Sequence, residues 1–251
     1  MKIAVLIKQV PDTETKIAIN ADASGIDVAN VKFVINPFDE FAVEEALKIG
    51  GESTVIAMGD DRSVESLRTA LAMGIPKAVH VDTKGKWYDP YTTATVLAQV
   101  LKEGGYDLIL CGKQAIDGDN GQVVQMVAEL LGLPQVMVIE KVEVQGSKAR
   151  ITRRIGGGAK EVYESAFPLI LGAEKGLNTP RYASLPGIMK AKTKPVEKKS
   201  AEDLLGGVTA LIQFKNYGLP PDKKAGQKIE GEPLDQAREL VRLLHTEAKV
   251  L

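Results

Sequence analysis

Leu108-Ile-Leu-Cys-Gly-Lys-Gln-Ala-Ile-Asp-Gly-Asp-Asn-Gly-Gln-Val123 changes character twice within sixteen residues. Four apolar residues, Leu108 to Cys111, are too few for a helix and stop at Gly112. After a loop rich in glycine and aspartate, apolar residues recur at helical spacing at Val123, Val124, Met126, Val127, Leu130 and Leu131. The order is therefore strand, loop, helix. In an open α/β sheet, ligands sit beyond the carboxyl ends of the strands, where the next helix presents unpaired N–H groups and a partial positive charge. Gly118 and Gly121 let the backbone approach a ligand, and Asp119 or Asn120 is the expected helix cap. A carboxylate repels phosphate, so Asp117 and Asp119 are expected to accept bonds from ribose hydroxyls or loop N–H groups, which favours a nucleotide over bare phosphate. Glycine and aspartate serve any strand-to-helix turn, so spacing alone leaves nucleotide binding and plain turn structure both open.

The loop lacks the Gly-Lys-Ser/Thr of a Walker A sequence and is not Gly-x-Gly-x-x-Gly. It begins like a calcium loop, but Gly121 and Ala128 stand where a ligand oxygen and a bidentate Glu are needed. Calcium is excluded.

The 251 residues, 44% hydrophobic and 26% charged, suit one large globular domain or a domain plus an appendage. A net charge of -1 gives no general attraction to nucleic acid or to an anionic membrane. The single cysteine, Cys111, forms no internal disulfide and fits a reducing compartment; at the end of an apolar strand it reads as a buried, inert thiol. No apolar run reaches membrane-spanning length, and Ile3 to Ile7 reads as a first strand and not a signal peptide, so a cytoplasmic location is expected.

Outward from the opening stretch, the pattern alternates. Ile3 to Ile7, Thr54 to Met58, Ala78 to Val81 and Gln135 to Ile139 read as strands, and Asn36 to Ile49, Ser63 to Met73 and Pro90 to Leu101 as helices, with Asn36 or Asp39 capping the first. This predicts an α/β fold: a mostly parallel, twisted sheet with right-handed crossovers and helices on both faces. Lys16 to Ile19 and Val31 to Ile35 read as a small hairpin. From Lys141, polar alternation through Val162 predicts antiparallel strands extending the sheet, and Phe167 to Leu171 returns to the core. Asn178 to Met189 is irregular and apolar-tipped, Lys190 to Lys199 linker-like, Val208 to Phe214 a short strand, and Leu234 to Leu244 a final amphipathic helix whose apolar face needs a cover. The expected division is residues 1–177 as the α/β domain, 178–192 as a projecting loop and 193–251 as an extended C-terminal arm.

Several ordered matches identify a resemblance: Asn36-Pro-Phe, Ala42-Val-Glu-Glu-Ala46, Arg68-Thr-Ala-Leu-Ala-Met-Gly74, Gly112-Lys-Gln-Ala-Ile-Asp117 and, most specifically, Asn178-Thr-Pro-Arg-Tyr-Ala-Ser-Leu-Pro-Gly-Ile-Met-Lys-Ala-Lys192. Up to about Lys194 the chain resembles the β subunit of electron-transfer flavoproteins. The resemblance implies a Rossmann-like (adenine nucleotide hydrolase-like) domain in a heterodimer whose α subunit carries the redox-active FAD, with the arm wrapping that partner. The β subunit holds AMP in the housekeeping branch and a second FAD in the electron-bifurcating branch. Positions matching the family's nucleotide site are Leu6, Asn36, Pro37, Phe38, Asp39, Met58 and the loop Gly112, Lys113, Gln114, Ala115, Ile116, Asp117, Gly118, Asp119, Asn120, Gly121, Gln122, Val123. Leu185 matches the anchor of a recognition loop that docks partner dehydrogenases of the acyl-CoA type, with Tyr182, Pro186, Ile188 and Met189 around it. Electrons would pass to the quinone pool through ETF:quinone oxidoreductase.

The chain departs from the pattern at Arg154, where many members carry a Glu associated with a salt bridge to the mobile flavin domain, and at Thr13, where some place a Tyr. Asp117-Gly118-Asp119 resembles the bifurcating branch and Tyr182 to Met189 the AMP branch; AMP is the expectation. No nucleophile, acid/base dyad or metal cluster is evident, so the chain is expected to be an electron-carrier subunit and not an enzyme. The alternatives are a bifurcating subunit whose second FAD takes hydride from NADH, and a non-redox nucleotide-binding α/β domain.

Overall fold

A computed structural model describes residues 1–222 and 225–251. The first strand, β1 (Lys2–Ile7), is flanked by β4 (Glu52–Gly59) on one side and β6 (Leu108–Gly112) on the other, all parallel. Beyond β4 lie β5 (Lys77–Asp82) and β11 (Glu197–Ser200), and beyond β6 lie β10 (Leu169–Ala173) and β7 (Gln135–Gln145), again parallel. The antiparallel β8 (Lys148–Arg154) and β9 (Lys160–Ala166) complete a nine-stranded sheet. Its connecting helices are α1 (Pro37–Ile49), α2 (Ser63–Met73), α3 (Pro90–Gly104) and α4 (Val123–Leu131).

Side-chain alternation on β1 sorts the two faces. Ile3, Val5 and Ile7 are buried in a cluster with Ala42, Val43 and Ala46 of α1 and Leu67 and Leu71 of α2. Ala4 and Leu6 are buried with Ala94, Leu97 and Leu101 of α3 and Val127 of α4. Because α1 and α2 cover one face and α3 and α4 the other, the chain reverses its direction of winding between β1 and β6. That is the switch point at which α/β sheets open a crevice.

The mostly parallel sheet with its antiparallel extension agrees with expectation; four local details do not. The partner of β3 (Phe33–Ile35) is β2 (Gln9–Pro11), not Lys16 to Ile19, because the continuation of β1 is nearer; Ile19 makes only an isolated bridge to Ile26. β7 runs unbroken through Lys141. It carries a register shift between Ile139 and Lys141 and the left-handed Val138 (φ 64), a strained state for a β-branched residue, where it leaves β10 and takes up β8. The linker-like lysines Lys198 and Lys199 lie in β11, where parallel pairing to β5 satisfies the backbone and Lys198 reaches Asp61 and Asp82. Val208 to Phe214 is not a strand, since Asp89 takes the Leu211 and Ile212 N–H groups at 2.7 and 3.2 Å.

After the short helix α6 (Ala201–Leu205), residues 211–217 lie against the domain, Phe214 meeting Trp87 edge-on at 5.6 Å; further on comes α7 (Pro233–Leu243), which buries none of its residues. Asp89 is buried and also caps α3 through Thr92 N–H (2.7 Å). Burial opposes its charge, but the donations from Thr92, Leu211 and Ile212 prevail and hold its carboxyl below the ordinary value. Asp89→Ala is expected to destabilise the domain by about 1–2 kcal/mol, the usual range for a lost cap, and to expose 206–217 to protease, as measured by denaturant unfolding and limited proteolysis. Because the pKa is lowered, the stabilising effect is present at neutral pH and is lost as pH falls through the carboxylate range.

Candidate functional site

The ladder between β1 and β6 pairs only Ile3, Ala4 and Val5 with Leu108, Ile109 and Leu110. Beyond Val5 the strands part, and the N–H groups of Lys8 and Gly112 have no strand partner across the gap. Asp39, on the first turn of α1, fills it: Oδ2 accepts Lys8 N–H at 2.7 Å and Oδ1 accepts Gly112 N–H at 2.9 Å. Gly112 is required here by close approach, because a Cβ would stand 2.4 Å from Asp39 Oδ1 and 2.6 Å from Phe38 Cβ.

Asn36 is 1% exposed and does not cap α1 with its side chain. Its amide instead holds the loop, Nδ2 donating to Gln114 O at 2.8 Å and Oδ1 accepting Ile116 N–H at 3.2 Å. Neither Asn36 nor Asp39 is therefore the side-chain cap expected from the sequence; both are turned toward the loop after β6. Pro37 opens α1, and the Phe38 ring lies under Lys113 Nζ at 4.7 Å. On the α3/α4 face of the sheet, Leu6 is buried and Met58 lies one residue beyond the Ile7 and Ala57 pair. The candidates from four separate stretches, Leu6, Asn36 to Asp39, Met58 and the start of the loop after β6, thus lie at the carboxyl ends of the central strands, around the point where β1 and β6 diverge.

The loop itself departs from expectation in its caps. Asp119 and Asn120 do not cap α4; Gln122 occupies that position and makes no side-chain bond to the helix. Asp119 sits in the left-handed region (φ 52), stabilised by Ala115 O, and accepts Gln114 Nε2 at 2.6 Å; Gly121 (φ 54) follows in the same region. Asp117 accepts Gly118 N–H at 2.8 Å and Lys8 Nζ at 2.6 Å. Both carboxylates are therefore occupied by donors, and no acidic residue lies in the first turn of α4. Asp117 to Asn120 are exposed, and Val123 is half-buried. This leaves the positive end of α4 open, behind a surface ion pair.

Sequence reasoning missed a second charge group beside the loop. Glu174, 3% exposed, ends the apolar run of β10 and accepts Lys113 Nζ at 2.8 Å and Arg154 Nη2 at 3.3 Å. Burial works against its charge, but Lys113, the Lys175 N–H and Arg154 outweigh that and hold the carboxyl below the ordinary range. The signal available was a lone Glu directly after five buried residues, with a basic residue next to the loop glycine. Cys111 is buried, and burial followed by the nearby Asp39 raises its thiol pKa well above the ordinary value, as expected of an inert thiol.

The docking candidates lie elsewhere, on a short helix packed against α2. Leu185 opens α5 (Leu185–Thr193), so the segment read as irregular is helical from Leu185 onward, with Ser184 Oγ capping Gly187 N–H. Tyr182 and Leu185 are 99% and 78% exposed, and Pro186, Ile188 and Met189 are exposed beside them. Two clefts of about 520 and 380 Å³ are lined by other residues, one at Met1, Ile49 and Val144, the other past the carboxyl ends of β4 and β5 at Asp60, Asp82 and Lys84. Among the described residues no acidic, His and Cys cluster suited to a metal occurs, and no helix is long and apolar enough to cross a membrane.

Burial raises the Asp39 carboxyl to about 7, against the pull of the Lys8 and Gly112 N–H groups. The folded state thus binds this proton more tightly than the unfolded chain does, so stability from this group falls as pH rises from 3.8 toward about 7 and is level above. The melting temperature of Asp39→Asn relative to the unsubstituted chain should rise across that window. A flat difference would exclude the assignment.

The electron transfer flavoprotein domain model matches residues 25–204. The chain is 42% identical to an electron transfer flavoprotein subunit beta of Bacillus subtilis, with the whole of both chains covered. It is 38% identical to the mitochondrial subunit beta of Arabidopsis thaliana, again over the whole of both. To the subunit beta of Mus musculus it is 38% identical over 92% of this chain and 93% of the other. A family model over most of the chain and relatives 38–42% identical over nine-tenths or more of both chains show that the chain belongs to the family of electron transfer flavoprotein β subunits.

Proposed function

We propose that this chain holds AMP as a structural element in a cytoplasmic heterodimer, supports the α subunit that carries FAD, and docks acyl-CoA-type dehydrogenases so that electrons move on to ETF:quinone oxidoreductase and the quinone pool. The observation that carries the nucleotide reading is the open N-terminus of α4, with no side-chain cap and no acidic first turn, in a loop whose two carboxylates already have donors. A phosphate there would meet helix N–H groups, while Asp117 and Asp119 remain available to hydroxyls at the cost of a surface ion pair contributing only about 0–1 kcal/mol. Leu6, Asn36 to Asp39 and Met58 would line the crevice behind the phosphate.

FAD in the heterodimer supplies the one- and two-electron chemistry; this chain contributes binding and orientation. The exposed Tyr182, Leu185, Pro186, Ile188 and Met189 form a compact apolar tip suited to a dehydrogenase pocket, with Lys190 and Lys192 beside it to steer acidic surfaces. The arm within 193–251, ending in the apolar residues Leu234, Leu240 and Val241 of α7, would cover that face on the α subunit.

Denaturing the purified heterodimer and identifying the released nucleotides tests this: one AMP and one FAD are expected, whereas two FAD would establish the bifurcating alternative and ATP turnover by the chain the non-redox one. Asp119→Ala with Gln122→Ala should lower AMP retention by about tenfold or more, equivalent to about 1.4 kcal/mol, with an unchanged circular dichroism spectrum. Retained AMP would rule the loop out.

A further inference from the structure

α2 and α5 are joined by two cations that each serve the other helix. Arg68, on α2, donates Nη1 to Ala191 O at 2.6 Å and to Lys194 O, the carbonyls that end α5. Lys194, just past α5, donates Nζ to Ile75 O at 3.0 Å and reaches Leu71 O at 3.4 Å, the carbonyls at the end of α2. Both side chains are half-buried, and among the described residues neither lies within ion-pair distance of a carboxylate. Their positive charge therefore answers carbonyl groups and the negative ends of two helices, and nothing else.

The backbones are also in intimate contact. A Cβ at Gly187 would lie 2.5 Å from Ala72 O, and Ala191 is 2% exposed between the helices. Upstream, Arg181 forms a forked pair with Glu44 (2.8 and 2.9 Å), and Asn178 donates to Phe41 O and Glu45. A nine-residue helix does not hold its shape alone in water, yet this one carries Leu185, Ile188 and Met189 outward on a base fixed at both ends.

We infer that Arg68 and Lys194 are positioning residues for the docking tip. By capping α2 and α5 reciprocally they hold the apolar side chains of 185–189 in the geometry a partner meets, so that little ordering remains to be done on association. The inference rests on the docking reading given above.

The test uses the complete heterodimer carrying Arg68→Met, Gly187→Ala or Leu185→Ala. Hydrogen exchange of the 185–193 amides is measured without a partner, and the KM for the flavoprotein is measured with an acyl-CoA dehydrogenase. Arg68→Met should speed exchange by about tenfold, the scale of local opening when two capping bonds are lost, and raise KM more than it lowers kcat. Arg68→Lys should restore part of both. Gly187→Ala, which displaces α5 without removing a cation, should act in the same direction, and it keeps the test valid if Arg68→Met fails to fold. Leu185→Ala should raise KM while leaving exchange unchanged. Unchanged exchange in both Arg68→Met and Gly187→Ala overturns the inference. Faster exchange with unchanged KM, while Leu185→Ala still raises KM, overturns it and leaves docking intact. A KM unmoved by Leu185→Ala overturns the docking reading and the inference with it.

Discussion

Once β1 and β6 separate beyond Val5 and Leu110, two peptide N–H groups are left at the bottom of a crevice with no strand to receive them. Leaving such groups unpaired in a buried place costs about 1–3 kcal/mol each, and a single carboxylate from α1 satisfies both. Asp39 therefore fixes where α1 starts relative to the sheet, how closely Phe38 approaches Gly112, and where Asn36 meets the following loop. The carboxylate is costly to bury, which is why its proton is held so strongly, and the two N–H donors offset that cost only in part.

Charge around this crevice is distributed by depth. The shallow pair, Lys8 with Asp117, is exposed and contributes little, so it yields readily to a ligand. The deeper group, Glu174 with Lys113 and Arg154, is half enclosed and ties the end of β10 to the loop after β6 and to the hairpin of β8 and β9. Arg154, standing where relatives are expected to carry Glu, is thus engaged by its own domain. The open end of α4 between these groups is the one strong dipole of the loop that no side chain answers.

The two exposed apolar features are held very differently. The tip on α5 is short, sharply exposed and anchored from beneath by charge, close packing and a forked ion pair. Helix α7 buries none of its residues, and among the described residues before it Leu211 and Ile212 are held by Asp89, Phe214 by Trp87 and Tyr217 by Ala23 O. A small rigid patch favours brief, repeated encounters, while a long unpartnered apolar helix face calls for a lasting cover.

The alternation of buried strands and amphipathic helices is legible in the residue pattern, since solvent exposure imposes the periods of two and 3.6 on the residues directly. The sequence ended α2 at Met73 and started α4 at Val123, because glycines and the onset of apolar spacing are local signals. It also brought Asn36 to Asp39 and the 112–123 loop into one list through family resemblance. Only the tertiary structure decided what these residues do to one another: that Asn36 and Asp39 spend their side chains across the crevice and not on their own helix, that β3 pairs with β2, that lysines resembling a linker form an edge strand, and that Arg68 and Lys194 exchange caps. Each of these joins groups far apart in the chain through single hydrogen bonds, and such pairings leave no periodic trace, because their partners are chosen by where the folded backbone happens to present an unpaired N–H or carbonyl.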